Sequence, residues 1–259
     1  RRRADGYPLL QTAFRLLDWG DRLDFVLRTD DRIRRVNEVP GVAEADDLVV
    51  RAARLLQAHT GSRSGADITV HKELPMGGGL GGGSSDAATT LIALNRLWKT
   101  GLTRAERQAL GLQLGADVPV FIFGEDAFAE GVGEALQPLS LPPAWYVVIS
   151  PGVSVPTAEI FSAQDLTRNT APIKMADFAV STTRNDLQVV ACSRYPEVQS
   201  AIDWLDAHAP ALMTGSGACV FAEVSSEAEA DRITKNCPPR WKAWKVRSLT
   251  RHPLYEWLQ

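Results

Sequence analysis

Residues 75–85 read Pro75-Met76-Gly77-Gly78-Gly79-Leu80-Gly81-Gly82-Gly83-Ser84-Ser85. Glycine loses more backbone freedom on folding than any other residue, so a run holding six of them is a liability unless backbone must come close to a ligand. The stretch before it, Ala66-Asp67-Ile68-Thr69-Val70-His71-Lys72, alternates in polarity as a half-buried strand does. After it the period changes, and Ala87, Leu91, Leu94 and Trp98 fall on one helical face. Strand, glycine loop and helix N-terminus bring free backbone N–H groups and the positive end of a helix dipole to one point. Such a point binds anions, phosphate above all.

Several phosphate loops can be set aside. The pattern G-x-x-x-x-G-K-[ST] fails because no lysine lies between Gly77 and Ser85. Gly77, Gly79 and Gly82 match G-x-G-x-x-G, but a run this rich in glycine matches it by accident. No acidic residue ends a second strand about 20 residues on, where residues 102–106 open a helix instead. The H-R-D and D-F-G motifs of protein kinases are absent. A flexible linker would lack a strand and a helix locked to its two ends.

At this point residues 75–88 resemble the phosphate-binding motif of the GHMP small-molecule kinases, which include galactokinase and the homoserine, mevalonate and phosphomevalonate kinases. Other segments agree in order and spacing: 3–7, 48–56, 115–121 (Gly-Ala-Asp-Val-Pro-Val-Phe), 129–134, 151–157, 185–187 and 214–221. The doubled glycine triplet around Leu80 is most similar to the member that phosphorylates the 2-hydroxyl of a cytidine-diphosphate-linked methylerythritol in the non-mevalonate isoprenoid pathway.

The resemblance implies an α+β, two-domain GHMP kinase fold. Its N-terminal domain, over 1–148, would be like ribosomal protein S5 domain 2, its C-terminal domain, over 149–259, ferredoxin-like, and the site would lie between them. It also implies a first strand carrying Pro-x-Lys-x-Asn, expected upstream of Arg1. ATP with Mg²⁺ would dock on Pro75, Met76, Gly77, Gly78, Gly79, Leu80, Gly81, Gly82, Gly83, Ser84 and Ser85. Ser84 or Ser85 could give a hydroxyl to a phosphate or to Mg²⁺, or could cap the following helix; no residue stands out as a metal ligand. Asp86 reads as an acid in the first helical turn, where its charge suits the dipole.

Asp117 stands in an otherwise apolar segment, where an ionised carboxylate is costly unless paired or solvated in a cleft. On residues alone it is a helix cap or a functional acid. The resemblance makes it the catalytic acid that accepts the substrate proton. For the cytidine diphosphate substrate, the resemblance implies stacking of the base between Tyr7 and Phe161 with Thr157 as a nearby hydroxyl contact. Pro8 stands where the family has a His. The turn 214–218 (Thr-Gly-Ser-Gly-Ala) is expected to back the phosphate site from the C-terminal domain. The rival from another class is a nucleotide-binding protein without catalysis.

Composition agrees with a small-molecule enzyme. The 259 residues are 45% hydrophobic and 23% charged, enough for one large core or two smaller ones. A net charge of −3 and a pI near 5.9 leave no basic footprint for nucleic acid, and no apolar run approaches the ~20 residues of a membrane span. Cys192, Cys219 and Cys237 show no C-x-x-C spacing, which speaks against a disulfide framework or a zinc site and for a reduced, cytoplasmic protein. The four histidines fit no ligand pattern. The expected assembly is a monomer or weak homodimer.

Further along, the pattern predicts strands over 9–17 and 24–29, a helix over 46–58 ended near Gly61, and a capping box at Thr103/Glu106 opening a short helix that ends near Gly115. It also predicts a buried strand over 145–149, ordered elements over 187–192 and 196–207, a helix over 226–235, and strands over 218–224 and 242–247.

Overall fold

A computed structural model describes residues 10–131, 133, 135–178 and 183–259. In chain order the elements are β1 (Leu10–Phe14), β2 (Arg22–Arg28), β3 (Ile33–Arg35), α1 (Leu48–Thr60), β4 (Gly65–His71), α2 (Gly82–Leu97), α3 (Arg104–Leu114) and α4 (Val118–Phe123). There follow β5 (Ala127–Gly131), β6 (Ala135–Pro138), β7 (Trp145–Ser150), α5 (Thr157–Ser162), α6 (Met175–Phe178), α7 (Asp186–Arg194) and α8 (Pro196–Asp206). The chain closes with β8 (Ala211–Met213), β9 (Val220–Val224), α9 (Glu227–Lys235), β10 (Lys242–Arg247) and a 3₁₀ turn at Tyr255–Trp257.

The N-terminal half holds two three-stranded sheets, ordered β1-β5-β6 and β2-β4-β3. In the second, β4 is antiparallel to β2 and parallel to β3. Alternation along β4 sends Ala66, Ile68 and Val70 inward, where α1 and α2 cover them with Val50, Ala53, Leu56, Leu91 and Leu94. Local chemistry sets the helix ends. Asp47 accepts from the Val49 N–H to start α1, and Gly61 ends it at φ 68°, a left-handed conformation that glycine adopts without strain. Thr103 and Glu106 form the reciprocal capping box at the start of α3.

The C-terminal half is a four-stranded antiparallel sheet ordered β10-β7-β9-β8, backed by α7, α8 and α9. Strand β7 straddles residues 148 and 149 and is hydrogen-bonded along its length to β9 and β10. Its continuous apolar run has two destinations. Val147 and Ile149 enter the core beneath the helices, whereas Val148 on the opposite face joins a smaller cluster with Cys219 and Val246. Leu17 and Trp19 from the N-terminal half and Leu80 from the glycine loop pack on that smaller cluster, with Trp19 and Trp244 rings 4.8 Å apart. The last residues return to the N-terminal half, where buried Arg107 on α3 donates to the carbonyls of Trp257 and Leu258 at 2.9 and 3.0 Å.

Candidate active site

The glycine loop joins β4 to α2 along one wall of a broad cleft between the halves. Gly77, Gly79 and Gly81 have φ of 69°, 71° and 71°, while Gly78 and Leu80 between them lie outside the left-handed region. This alternation turns successive N–H groups toward one side, the arrangement of an anion-binding nest. Close approach also demands glycine. A Cβ on Gly79 would lie 2.3 Å from the Thr214 carbonyl oxygen, and one on Gly78 would lie 2.7 Å from Cys219 Sγ.

Helix α2 begins at Gly82 with Gly81 as its N-cap and no side-chain cap, so its first N–H groups have no side-chain acceptor. Ser84 and Ser85 therefore lie inside the first turn and do not cap the helix. Both line the cleft, as do Gly77, Gly79, Leu80, Gly81, Gly82 and Gly83. Gly78 is buried beneath the loop, and Met76 is exposed outside the cleft lining together with Pro75.

The turn 214–219, between β8 and β9, holds the loop from the C-terminal half. Ala218 N–H donates to Gly77 O at 3.3 Å and Cys219 N–H to Gly78 O at 3.1 Å, while the Thr214 hydroxyl donates to Gly79 O at 3.0 Å. Burial pushes the Cys219 thiol up to about 12, against a lowering by its hydrogen bond to Ser150, so it stays protonated and serves as packing.

Asp117 occupies the N-cap position of α4 without making a side-chain cap bond. It lines the same cleft, is open to it, and has no hydrogen-bond or ion-pair partner among the described residues. The surrounding protein raises its pKa above the ordinary carboxylate value by desolvation. Helix α4 links this acid to the loop, because a Cβ on Gly81 would lie 2.9 Å from the Phe121 ring.

Farther along the cleft, Thr157 and Phe161 sit on α5. The Thr157 hydroxyl is 2.7 Å from that of Ser216 in the 214–219 turn. Tyr7 and Pro8 lie outside the described residues.

One reading of the helix start needs correction. Asp86 is not in the first turn of α2: it is the fifth residue, buried at 6% exposure, and faces inward. There it shares the Lys72 ammonium, 3.0 Å away, with Asp21. Desolvation raises Asp86, the Asp21 charge adds to this and Lys72 opposes it, leaving a pKa of about 7. Burial also pushes Asp21 upward, but its hydrogen bonds to Lys72 and to the backbone of Leu74 and Glu73 more than offset this and hold it below the ordinary value. Sequence reasoning missed this trio. The available signal was a lysine closing the strand ahead of the loop and an acid behind it, but nothing local pairs them with Asp21.

Among the described residues no group of three or more His, Cys, Asp or Glu could hold a metal by itself, and no helix is long and apolar enough to cross a membrane.

The family description "GHMP kinases N terminal domain" matches residues 47–125, and "GHMP kinases C terminal" matches 170–242. A 4-diphosphocytidyl-2-C-methyl-D-erythritol kinase from Azoarcus sp. (strain BH72) is 76% identical over 98% of this chain and 90% of its own length. The enzyme of the same name from Aromatoleum aromaticum is 69% identical over 99% of this chain and 90% of its own. A crystal structure of 4-(cytidine 5′-diphospho)-2C-methyl-D-erythritol kinase superposes with a TM-score of 0.82 at 32% identity, covering 95% of this chain and 92% of that one. With its glycine cradle and two-domain α+β architecture, the chain belongs to the GHMP kinases, and within them to the 4-diphosphocytidyl-2-C-methyl-D-erythritol kinase family.

Proposed function

We propose that this chain transfers the γ-phosphoryl group of ATP to the 2-hydroxyl of 4-diphosphocytidyl-2-C-methyl-D-erythritol, in the non-mevalonate route to isoprenoids. One observation carries the reading: an anion cradle and a carboxylate with no partner among the described residues open into one cleft and are linked by a short helix, with Asp117 at its start and Phe121 beneath Gly81. Phosphoryl transfer asks a protein for positioning and for charge stabilisation rather than for covalent chemistry. The N–H groups of 77–85 and the open end of α2 supply both for the phosphates. Asp117 takes the proton of the acceptor hydroxyl as the new O–P bond forms, and the bond from the γ-phosphorus to the bridging oxygen breaks to release ADP.

Mg²⁺ is commonly held by one or two protein groups together with substrate phosphates rather than by a dedicated protein cage. The donors here fit that mode, since Ser84 and Ser85 present hydroxyls at the first turn of α2 beside the cradle. The ion would be held by the triphosphate and one of these hydroxyls, and it would neutralise charge on the transferring group.

Phe161 and Tyr7 would flank the cytosine, with Thr157 as a polar contact beside the ring. The protein would work in the cytoplasm on this small molecule, without a nucleic-acid partner, as a monomer or weak homodimer.

The test is a panel of acceptors with ATP and Mg²⁺. The cytidine diphosphate substrate should exceed homoserine, mevalonate and phosphomevalonate by about 10⁴-fold or more in kcat/KM, the scale on which a site built for a polar group rejects substrates lacking it. Comparable rates on any of the other three would overturn the assignment.

A further inference from the structure

The glycine run has almost no side chains of its own, so its shape depends on how its two stems are held. The leading stem is residues 72–74, which leave the end of β4, and the trailing stem is the start of α2. Asp21, just ahead of β2, reaches both. Its side chain is fully buried, with 0% exposure. One carboxylate oxygen accepts the N–H groups of Glu73 and Leu74 at 2.6 and 2.9 Å. The other accepts the Lys72 ammonium, which goes on to Asp86 of α2 at 3.0 Å, and it would lie 3.4 Å from a Cβ on Gly82.

We propose that Asp21 is a positioning residue for the nucleotide: by tying the strand end, the stem of the loop and the first turns of α2 to one carboxylate, it sets the geometry in which the loop N–H groups converge. The inference rests on the reading of this loop as the ATP site. With its side chain fully buried, Asp21 acts through the backbone of 73–74 and through Lys72.

Charge and position predict opposite signs. A buried negative charge beneath a phosphate site repels the phosphates, so if charge were the whole effect, neutralising Asp21 would tighten ATP binding. If position governs, the same change loosens it, because an amide in place of the carboxylate presents an N–H₂ where Lys72 needs an acceptor.

The test measures ATP binding calorimetrically on the full chain, together with kcat and KM for ATP, in Asp21→Asn and Asp21→Glu. The second variant keeps the charge and moves it by one methylene. Both should raise the Kd for ATP about 10-fold or more, equivalent to about 1.4 kcal/mol. KM for ATP should rise in parallel while kcat at saturating ATP stays within about 3-fold. A purely structural role would instead reduce the folded fraction, lowering apparent kcat with KM unchanged, and that result would overturn the proposal. So would tighter or unchanged binding in Asp21→Asn, or wild-type binding in Asp21→Glu. If the wild-type chain binds no ATP, the loop assignment itself falls; if it binds ATP and both variants match it, only the role of Asp21 does.

Discussion

At the scale of single residues, Asp117 is an acid open to a cleft with no cation among its described neighbours. Desolvation raises its pKa. A proton acceptor works only in its ionised form, so a raised pKa means that activity is lost on acidification at a higher pH than an ordinary aspartate would require. The acid limb of the kcat/KM profile should therefore lie above about 4, the unperturbed aspartate value. Asp117→Asn should lower kcat by about 10²-fold or more, the scale of a lost general base, and leave the Kd for ATP within about 2-fold. A variant with wild-type turnover would make Asp117 a structural acid at the start of α4. Asp86 shows how a local rule misleads. An acid three residues past a glycine run suits a helix dipole, but α2 starts early enough, at Gly82, to turn Asp86 inward onto Lys72.

At the scale of elements, the unit of β4, glycine loop and α2 carries the phosphate site. Gly81 is one of its tight points, at φ 71° with the Phe121 ring 2.9 Å from where a Cβ would stand. Gly81→Val should weaken ATP binding about 10-fold or more, roughly 1.4 kcal/mol, since a β-branched residue fits neither that backbone conformation nor that space. Unchanged affinity in a folded variant would remove the loop from the site. This unit was legible in the sequence because its signals are local: alternation up to His71, the glycine run, then helical spacing from Ala87 to Trp98. So were α1 and α3, whose caps at Asp47 and Thr103 are short-range chemistry. Strands β3, β5, β6 and β8 were not legible. They are three to five residues long, and β5 is held by β1, more than a hundred residues away, through pairs such as Thr12 with Ala129. Helix α4 is only one to two turns, and its sequence Val-Pro-Val-Phe-Ile-Phe shows no amphipathic period. Asp21 had no signal at all, being about fifty residues from the backbone it binds.

At the scale of the whole molecule, the phosphate loop belongs to both halves. Its strand and helix are N-terminal, but Gly77, Gly78 and Gly79 are hydrogen-bonded to the 214–219 turn, and Leu80 packs in the apolar cluster with Trp19, Phe221 and Trp244. The cleft that receives a substrate is thereby continuous with the contacts that join the halves, and Thr157 reaches the same turn through Ser216. The central claim is that this cleft passes a phosphoryl group from ATP to one hydroxyl of one acceptor. The 2-carbon of the methylerythritol carries a methyl group and no hydrogen, so a phosphate ester there has no carbinol proton to split its ³¹P signal, whereas an ester at any other free hydroxyl has one. The most direct measurement is a ³¹P NMR time course of the full chain with ATP, Mg²⁺ and 4-diphosphocytidyl-2-C-methyl-D-erythritol. The account predicts that the γ-phosphate signal of ATP gives way to ADP and an unsplit monoester resonance in equal amount. A split monoester resonance, or inorganic phosphate in place of any ester, would contradict it.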